Sequence, residues 1–320
     1  MFYTWRTKNP SMEHEKKEIA VAITEFLWHC RFEKKLDEKT IRAYRADLRQ
    51  MAEITDTTSD IFEVSKTDIK NYLQQIAGFK HKTIKRKIAT LRSMLNYLEC
   101  EYEDYINPMR KMQIKMKEPI RLPVVMTIEE LRRILNSLYR RTDTCAKGTY
   151  TYKAAIRNIA VVELLFASGM RVSELCSLRN RDVDMGNGEV RIIGKGNKER
   201  IIHICQPETL QALHRWLELK NGVCNSQAPF FTNRLHRGLS TQSVRQTIRH
   251  IVTSAGIEKH VTPHTFRHTF ATLLLEEDVD VRYIQSLLGH SSIATTQLYT
   301  HVNMNKQRQI LQTKHPRKRI

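Results

Sequence analysis

Six residues in the second half of the chain have the types needed to work on a phosphodiester: Arg171, Lys195, His264, Arg267, His290 and Tyr299. Two guanidiniums can grip the nonbridging oxygens of a phosphate in bidentate fashion and neutralise the charge that grows in the transition state. A phenol hydroxyl can attack phosphorus and form a covalent intermediate. A phenol ordinarily titrates near about 10, so its proton needs a carrier at neutral pH. An imidazole can be that carrier or can hold the phosphate, and a lysine can protonate the departing alkoxide. No carboxylate pair accompanies the set, so the chemistry calls for no metal and no cofactor.

The six lie in four short stretches. Ala167-Ser-Gly-Met-Arg171-Val-Ser-Glu174-Leu175 supplies the first arginine, and Lys195 stands in a Gly-Lys-Gly turn 24 residues further on. Pro263-His264-Thr-Phe-Arg267-His268 supplies a histidine and an arginine three residues apart. Leu288-Gly-His290 is followed nine residues later by Tyr299, in a Thr-Thr-x-x-Tyr-Thr-His-Val ending. Taken singly, each has an ordinary reading. Arg171 and Glu174 fit an i,i+3 ion pair, Lys195 or its neighbour Lys198 a solvated turn, and Tyr299 a packing tyrosine. His264 and His268 have the i,i+4 spacing of a zinc pair. No Glu follows the first of them, however, and Arg267 between them opposes a cation. His268 therefore reads as a residue that packs the helix or supports the site from behind the catalytic groups.

The hydrophobic pattern supplies two domains to carry these residues. From residue 14 to 107 every periodic segment is helical. Ile19, Ile23, Phe26 and Leu27 form one face, and Ile41, Tyr44, Leu48 and Met51 another behind an Asp37 or Thr40 cap. Ile69, Tyr72, Leu73 and Ile76 lie between a Thr67 cap and Gly78; Ile84, Ile88, Leu91, Leu95 and Leu98 make the last helix. The leading part of that helix carries Lys80, Lys82, Lys85, Arg86, Lys87 and Arg92 with no acid, which favours a face for a polyanion over a merely solvated one. Residues 108–123 set Pro108, Pro119 and Pro123 around Arg110, Lys111, Lys115 and Lys117, a basic linker. Residues 124–320 form the second domain. Thr127-Ile-Glu-Glu130 is a capping box, residues 140–153 read as a polar loop, and Ile156 to Ser168 as a buried helix. Glu189-Val-Arg-Ile-Ile193 and Arg200-Ile-Ile-His-Ile204 make a β-hairpin with Lys195 at its tip. Helices resume near Pro207, Thr241, Thr265, Val281 and Ser292. The helix from 241 turns Arg245, Arg249 and His250 toward phosphates and base edges or, with the same spacing, toward solvent. The fold class is mainly α, with one small antiparallel sheet in the second domain.

Composition limits the partner. The chain has 320 residues, with 53 Lys+Arg against 34 Asp+Glu and a net charge of +19, and this length suits two domains. A hydrophobic share of 41% with 27% charged residues excludes a disordered, collagen-like or disulfide-stapled chain. The six cysteines, Cys30, Cys100, Cys145, Cys176, Cys205 and Cys224, form no CxxC pair, as expected of reduced thiols in a cytoplasmic protein. The most apolar stretch, Ile159 to Met170, is interrupted by Glu163 and is too short to span a bilayer. Arg6, Lys8, Glu13, Glu15 and Lys16 do not suit a secretory signal. An isoelectric point near 9.8 without a membrane segment directs the chain to nucleic acid.

Together, the four stretches resemble the tyrosine recombinase (phage integrase) family, close to its Xer-like branch. Arg171 with Glu174 and Leu175, Lys195 on its hairpin, the His264-x-x-Arg267 pair, and Leu-Gly-His290 with Tyr299 occur in the family's order. The N-terminal helices resemble the family's core-binding, SAM-like domain. The resemblance implies a site-specific DNA recombinase whose two domains form a C-shaped clamp on duplex DNA, with Lys80, Lys82, Lys85, Arg86, Lys87, Arg110, Lys111, Arg245 and Arg249 as candidate DNA contacts. It implies that Tyr299 attacks to give a 3′-phosphotyrosyl link and a free 5′-hydroxyl. Arg171, Arg267 and His290 then hold the phosphate, Lys195 protonates the leaving oxygen and His264 handles the phenol proton. It further implies a homo-tetramer, a dimer of dimers on the recombination site. The stretch from Met304 through Lys314-His-Pro-Arg317-Lys318-Arg319 would dock on a neighbouring protomer. The task would be integration or excision of a mobile element, or resolution of chromosome dimers. A noncatalytic DNA-binding relative and a type IB topoisomerase-like activity are the alternatives, and the joint presence of all six residues opposes the first. Three features depart from the family pattern: the long loop 140–153, Leu273 in place of a polar residue, and Asp278 where glycine is common. Aspartate tolerates the left-handed backbone that such a turn needs.

Overall fold

The computed structural model describes residues 17–54, 60–114, 124–194, 199–220, 225–289 and 304–320. The chain divides into two compact units, residues 1–120 and 121–320.

In the first unit, α1 (Ile19–Phe32), α2 (Glu38–Ile54), α3 (Lys66–Gln75) and α4 (His81–Glu101) enclose one core. Phe26, Leu48, Tyr72, Met94 and Leu95 lie at its centre, and the Phe26 ring stacks on Tyr44 at 5.8 Å. The cap of α3 is Ser65 rather than the expected Thr67. Ser65 Oγ accepts the amides of Thr67 and Asp68, and the Asp68 carboxylate accepts the Ser65 amide at 2.8 Å. This reciprocal box satisfies two otherwise unpaired donors. After α4, Tyr105 and Met109 are buried in the same core, with Met112 and Ile114 packed beside them. The first residues of the expected linker thus pack with the N-terminal unit, while 115–123 lie outside the described residues.

The second unit is built around α6 (Tyr150–Ser168), which contacts α5 (Ile128–Asp143), α8 (Pro207–Lys220) and α10 (Pro263–Glu276). A helix buried nearly all round is a core helix, and α6 is buried continuously from Ile159 to Ser168. The expected loop 140–153 is short: α5 runs to Asp143 and α6 starts at Tyr150. Thr149 caps α6 by accepting the Tyr152 amide at 3.2 Å. Arg140 and Arg141 sit in the last turn of α5, where positive charge suits the helix dipole. Most of the polar residues that suggested a loop are exposed, at the two helix ends or in the six residues between them.

Gly169 ends α6 in left-handed backbone, φ +58°, and α7 (Val172–Ser177) starts immediately after. The sheet is antiparallel in the order β1 (Val183–Asp184), β2 (Glu189–Ile193), β3 (Glu199–His203), with Ile192 opposite Arg200. The expected hairpin is present, and its tip, 195–198, lies outside the described residues. The remaining elements are α9 (Thr241–Ser254), α11 (Val281–Leu288) and α12 (Met304–Lys314). Asp278 adopts the left-handed geometry anticipated for it, φ +56°, and Leu273 is buried in the core.

The C-terminal stretch is seated on its own unit. Leu311 is fully buried, and its carbonyl accepts from Gln206 Nε2 at 3.0 Å. His315 lies against the Phe166 and Phe270 rings and bonds to the Ala167 carbonyl through Nε2 at 2.8 Å. Burial pushes its pKa down to about 4. Arg317 donates from Nε and Nη2 to the Glu163 carboxylate at 3.1 and 3.0 Å. Tyr139 and Thr209 also donate to that carboxylate.

Candidate active site

The turn after α6 and the end of α11 bring two arginines together. Arg267, on α10, is buried, and donates from Nη1 to the Gly169 carbonyl at 2.9 Å and from Nη2 to the Leu288 carbonyl at 2.7 Å. Arg171, at the start of α7, donates from Nη2 to the Gly289 carbonyl at 3.2 Å. Both guanidiniums are therefore fixed to the same backbone, the ends of α6 and α11. Gly169 is required there: a Cβ would lie 2.6 Å from the Phe270 ring and 2.8 Å from Leu288, on backbone that side chains rarely adopt. Gly289, at φ +63°, ends α11 in the same way.

Charge in this cluster is balanced only in part. Glu174 is buried; it accepts the Arg171 amide and Arg171 Nη1 at 2.8 Å each, and a forked pair of bonds from Arg200. Burial opposes its charge, but the Arg200 fork and the Arg171 bonds outweigh burial and hold the carboxyl below its ordinary value. The Arg267 guanidinium is pulled down to about 10, by burial and then by repulsion from Arg171, and stays charged at neutral pH. Such a guanidinium, pinned by two carbonyls and offered no carboxylate of its own, is suited to a phosphate.

His264 is exposed in the first turn of α10. Partial burial and the fields of His268, Arg267, Arg245 and Arg171 hold its imidazole below the ordinary histidine range. It is thus neutral at physiological pH and can accept a proton. His268, expected to pack inside, is exposed. Lys195, His290 and Tyr299 lie outside the described residues. The chain reaches Lys195 from β2 and His290 from Gly289, both anchored as above. Among the described residues, no group of three or more His, Cys, Asp or Glu side chains could hold a metal ion, and no helix is long and apolar enough to cross a membrane.

Comparison with known proteins gives the family. The phage integrase family matches residues 125–306. The chain belongs to the phage integrase family. The N-terminal SAM-like domain of phage integrases matches residues 23–101. A tyrosine recombinase of Agathobacter rectalis is 43% identical over 301 residues, covering 92% of this chain and 96% of the relative. Tyrosine recombinase XerD of Halalkalibacterium halodurans is 36% identical over 303 residues, covering 92% and 97%. The fold is shared with the XerH site-specific recombinase bound to its difH substrate, at TM-score 0.69, 21% identity and coverage of 92% and 97%. It is shared also with a lambda integrase dimer bound to a COC′ core site, at TM-score 0.67, 16% identity and coverage of 89% and 77%. The chain is a tyrosine recombinase.

The candidate DNA contacts of this recombinase separate into two kinds. Lys80, Lys82 and Lys85 are exposed on α4 or at its cap, Lys111 is exposed after it, and Arg245 and Arg249 are exposed on α9. Arg245 is near enough to act electrostatically on His264, and Arg133 donates to the carbonyls of Ala255 and Gly256 at the end of α9. Arg110 is exposed beside Glu99, 3.7 Å away. Lys87 is corrected: its ammonium is buried, donating to Asp47 at 3.0 Å and to Gln50. Asp47, on α2, also accepts from Arg86 and Thr90. The acid missing from the local sequence of α4 is supplied by a neighbouring helix. Arg86 keeps an exposed side chain at 44% while paired to Asp47.

Sequence reasoning missed two things. Arg42, Arg45 and Arg49 are exposed along α2, the helix that packs on α4; their i, i+3, i+7 spacing was the available signal. Arg200 was unmarked because its partners lie 26 and 87 residues away.

Proposed function

We propose that Arg171, Arg267 and His290 hold the scissile phosphate, that Tyr299 attacks it, that Lys195 protonates the 5′-oxygen, and that neutral His264 receives the phenol proton. The observation that carries this reading is the convergence of Arg171 and Arg267 on one stretch of backbone, the carbonyls of Gly169, Leu288 and Gly289. Tyr299 follows that anchor within ten residues of sequence. The phosphotyrosyl link conserves the energy of the phosphodiester, so the 5′-hydroxyl of another strand reverses the step without ATP. Its partner is a duplex recombination site, clamped between the two units. The exposed cations of α2, α4 and α9 contact backbone phosphates, whose counterions are released on binding.

Exchange between two duplexes needs four such sites, hence a tetramer on DNA acting in the cytoplasm. Among solved relatives of this fold is a lambda integrase tetramer bound to a Holliday junction. In the tetramer proposed for this chain, the contacts that seat Leu311, His315 and Arg317 on their own unit are reused on a neighbouring protomer, as a swapped segment reuses its original partners. The test is a nicked suicide DNA substrate carrying the native site, with wild type and Tyr299→Phe compared in EDTA without ATP. The wild type forms a detergent-stable protein–DNA adduct; Tyr299→Phe binds DNA and forms none. An adduct with Tyr299→Phe removes the nucleophile assignment.

A further inference from the structure

Arg200 joins three pieces of the site. Its side chain is 13% exposed. Nη1 and Nη2 donate to Glu174 Oε1 and Oε2 at 3.1 and 2.7 Å, and Nε donates to the Leu287 carbonyl at 3.1 Å. Gly289 lies flat against the same guanidinium, because a Cβ there would sit 2.9 Å from Nη1 and 3.2 Å from Cζ. Arg200 itself stands on β3 opposite Ile192, near the tip end of the hairpin that carries Lys195. One planar group thus ties that hairpin to the carboxylate beside Arg171 and, through the Leu287 carbonyl, to the last turn of α11, three residues before His290.

Its effect on Arg171 follows from how the Glu174 oxygens are shared. Oε1 receives Arg171 Nη1 and Arg200 Nη1; Oε2 receives the Arg171 amide and Arg200 Nη2. With Arg200 occupying both oxygens, Arg171 gives the carboxylate one guanidinium N–H, and a second goes to Gly289. An arginine has five donors, so among the described residues the remainder stay available. Without Arg200, Arg171 is, among the described residues, the one guanidinium still hydrogen-bonded to the buried carboxylate, Arg267 being held by two carbonyls instead, and a side-on bidentate pair becomes the favoured geometry. That pair would draw Arg171 toward Glu174.

We propose that Arg200 is a positioning residue for cleavage, competing with Arg171 for Glu174 so that Arg171 keeps its free donors for the scissile phosphate. The proposal rests on the reading of Arg171 as a phosphate ligand. A lysine cannot replace Arg200, because a single ammonium does not reproduce a fork to both carboxylate oxygens plus a third bond to Leu287.

The test is single-turnover cleavage of the suicide substrate at saturating protein, with DNA binding and thermal unfolding measured on each variant. Arg200→Ala slows adduct formation about 100-fold, the size expected when a catalytic group is misplaced by about 1 Å, with half-saturating protein concentration unchanged. Arg200→Met is the substitute if the alanine variant unfolds. Arg200→Lys recovers less than a tenth of the loss. Because Arg200 acts through Arg171, Arg171→Lys/Arg200→Ala is no slower than Arg171→Lys alone. A methylphosphonate at the scissile position, which lacks one charged oxygen, narrows the gap between Arg200→Ala and wild type below about tenfold. Cleavage by Arg200→Ala within threefold of wild type, multiplicative losses in the double variant, or an undiminished gap on the methylphosphonate would each overturn the proposal. Failure of the wild type itself to form the adduct would instead sink the underlying assignment of the site.

Discussion

Replacing Arg317 by alanine tests whether the C-terminal segment is seated in solution as described. Glu163 has no exposure, and two of its hydrogen bonds come from Arg317. Tyr139 and Thr209 still donate after the substitution, but both are neutral. Arg317→Ala therefore leaves a buried carboxylate without a counter-ion, at a cost of about 3–5 kcal/mol. For a unit of this size each kcal/mol moves the midpoint by about 2–4 °C, so Tm of the catalytic unit falls by about 6–20 °C. Trp216, buried in that unit, reports the transition by its fluorescence. Adding Glu163→Gln removes the stranded charge and recovers more than half of the loss, a coupling that a double-mutant cycle isolates. The reasoning fails if Arg317→Ala costs less than about 1 kcal/mol, the size of a surface pair, or if the second substitution recovers nothing.

The buried His315 makes stability depend on pH. Its pKa is about 4 in the folded chain and about 6.5 in an unfolded one. Above 6.5 both states hold it neutral. Between 6.5 and 4 the unfolded chain alone takes up the proton, so stability falls with falling pH by about 3 kcal/mol in all, and His315→Gln flattens that part of a urea-denaturation series. Gly169→Ala forces a left-handed alanine into the Phe270 ring. It should cost about 2–4 kcal/mol, read by calorimetry, and slow adduct formation because the Gly169 carbonyl holds Arg267. Lys82→Ala leaves Tm unchanged and lowers the slope of log affinity against log salt by about 1. Lys87→Ala removes one of the two cations on buried Asp47, Arg86 remaining, and costs about 2 kcal/mol in the N-terminal unit, so thermal unfolding and salt titration separate the two lysines.

What could be read from sequence was whatever is local. The periodicity of Ile41, Leu48 and Met51 on α2, the Thr127–Glu130 box and the β-branched runs of the hairpin between Glu189 and Ile204 each follow from residues within a turn or two, and each is present. The family was legible because the stretches that carry the resemblance are each contiguous. Lys87 was misread because charge balance across α2 and α4 is a tertiary fact: Asp47 is 40 residues away. For the same reason nothing local tied Arg317, in the stretch expected to dock on a neighbouring protomer, to its own unit. Its acceptor, Glu163, is 154 residues earlier, inside a helix otherwise apolar on that stretch. Glu163 was seen only as an interruption of a hydrophobic run, whereas a lone acid in such a run signals a distant cation.

Arg171, Arg200 and Arg267 crowd around a single carboxylate, Glu174, and each of the first two repels the third. The DNA-free protein thus holds unspent electrostatic tension at the place proposed above for the scissile phosphate. Part of its fold is weaker than it would be with neutral residues there, and a tetrahedral dianion relieves that strain. Buffer chemistry then becomes a variable of the enzyme itself. Phosphate or sulfate present at ten times its dissociation constant for this cradle would add about 1.4 kcal/mol to the resting protein. The same occupancy would reduce access of the DNA backbone to the cradle, so conditions chosen to keep the purified protein stable would slow its first turnover.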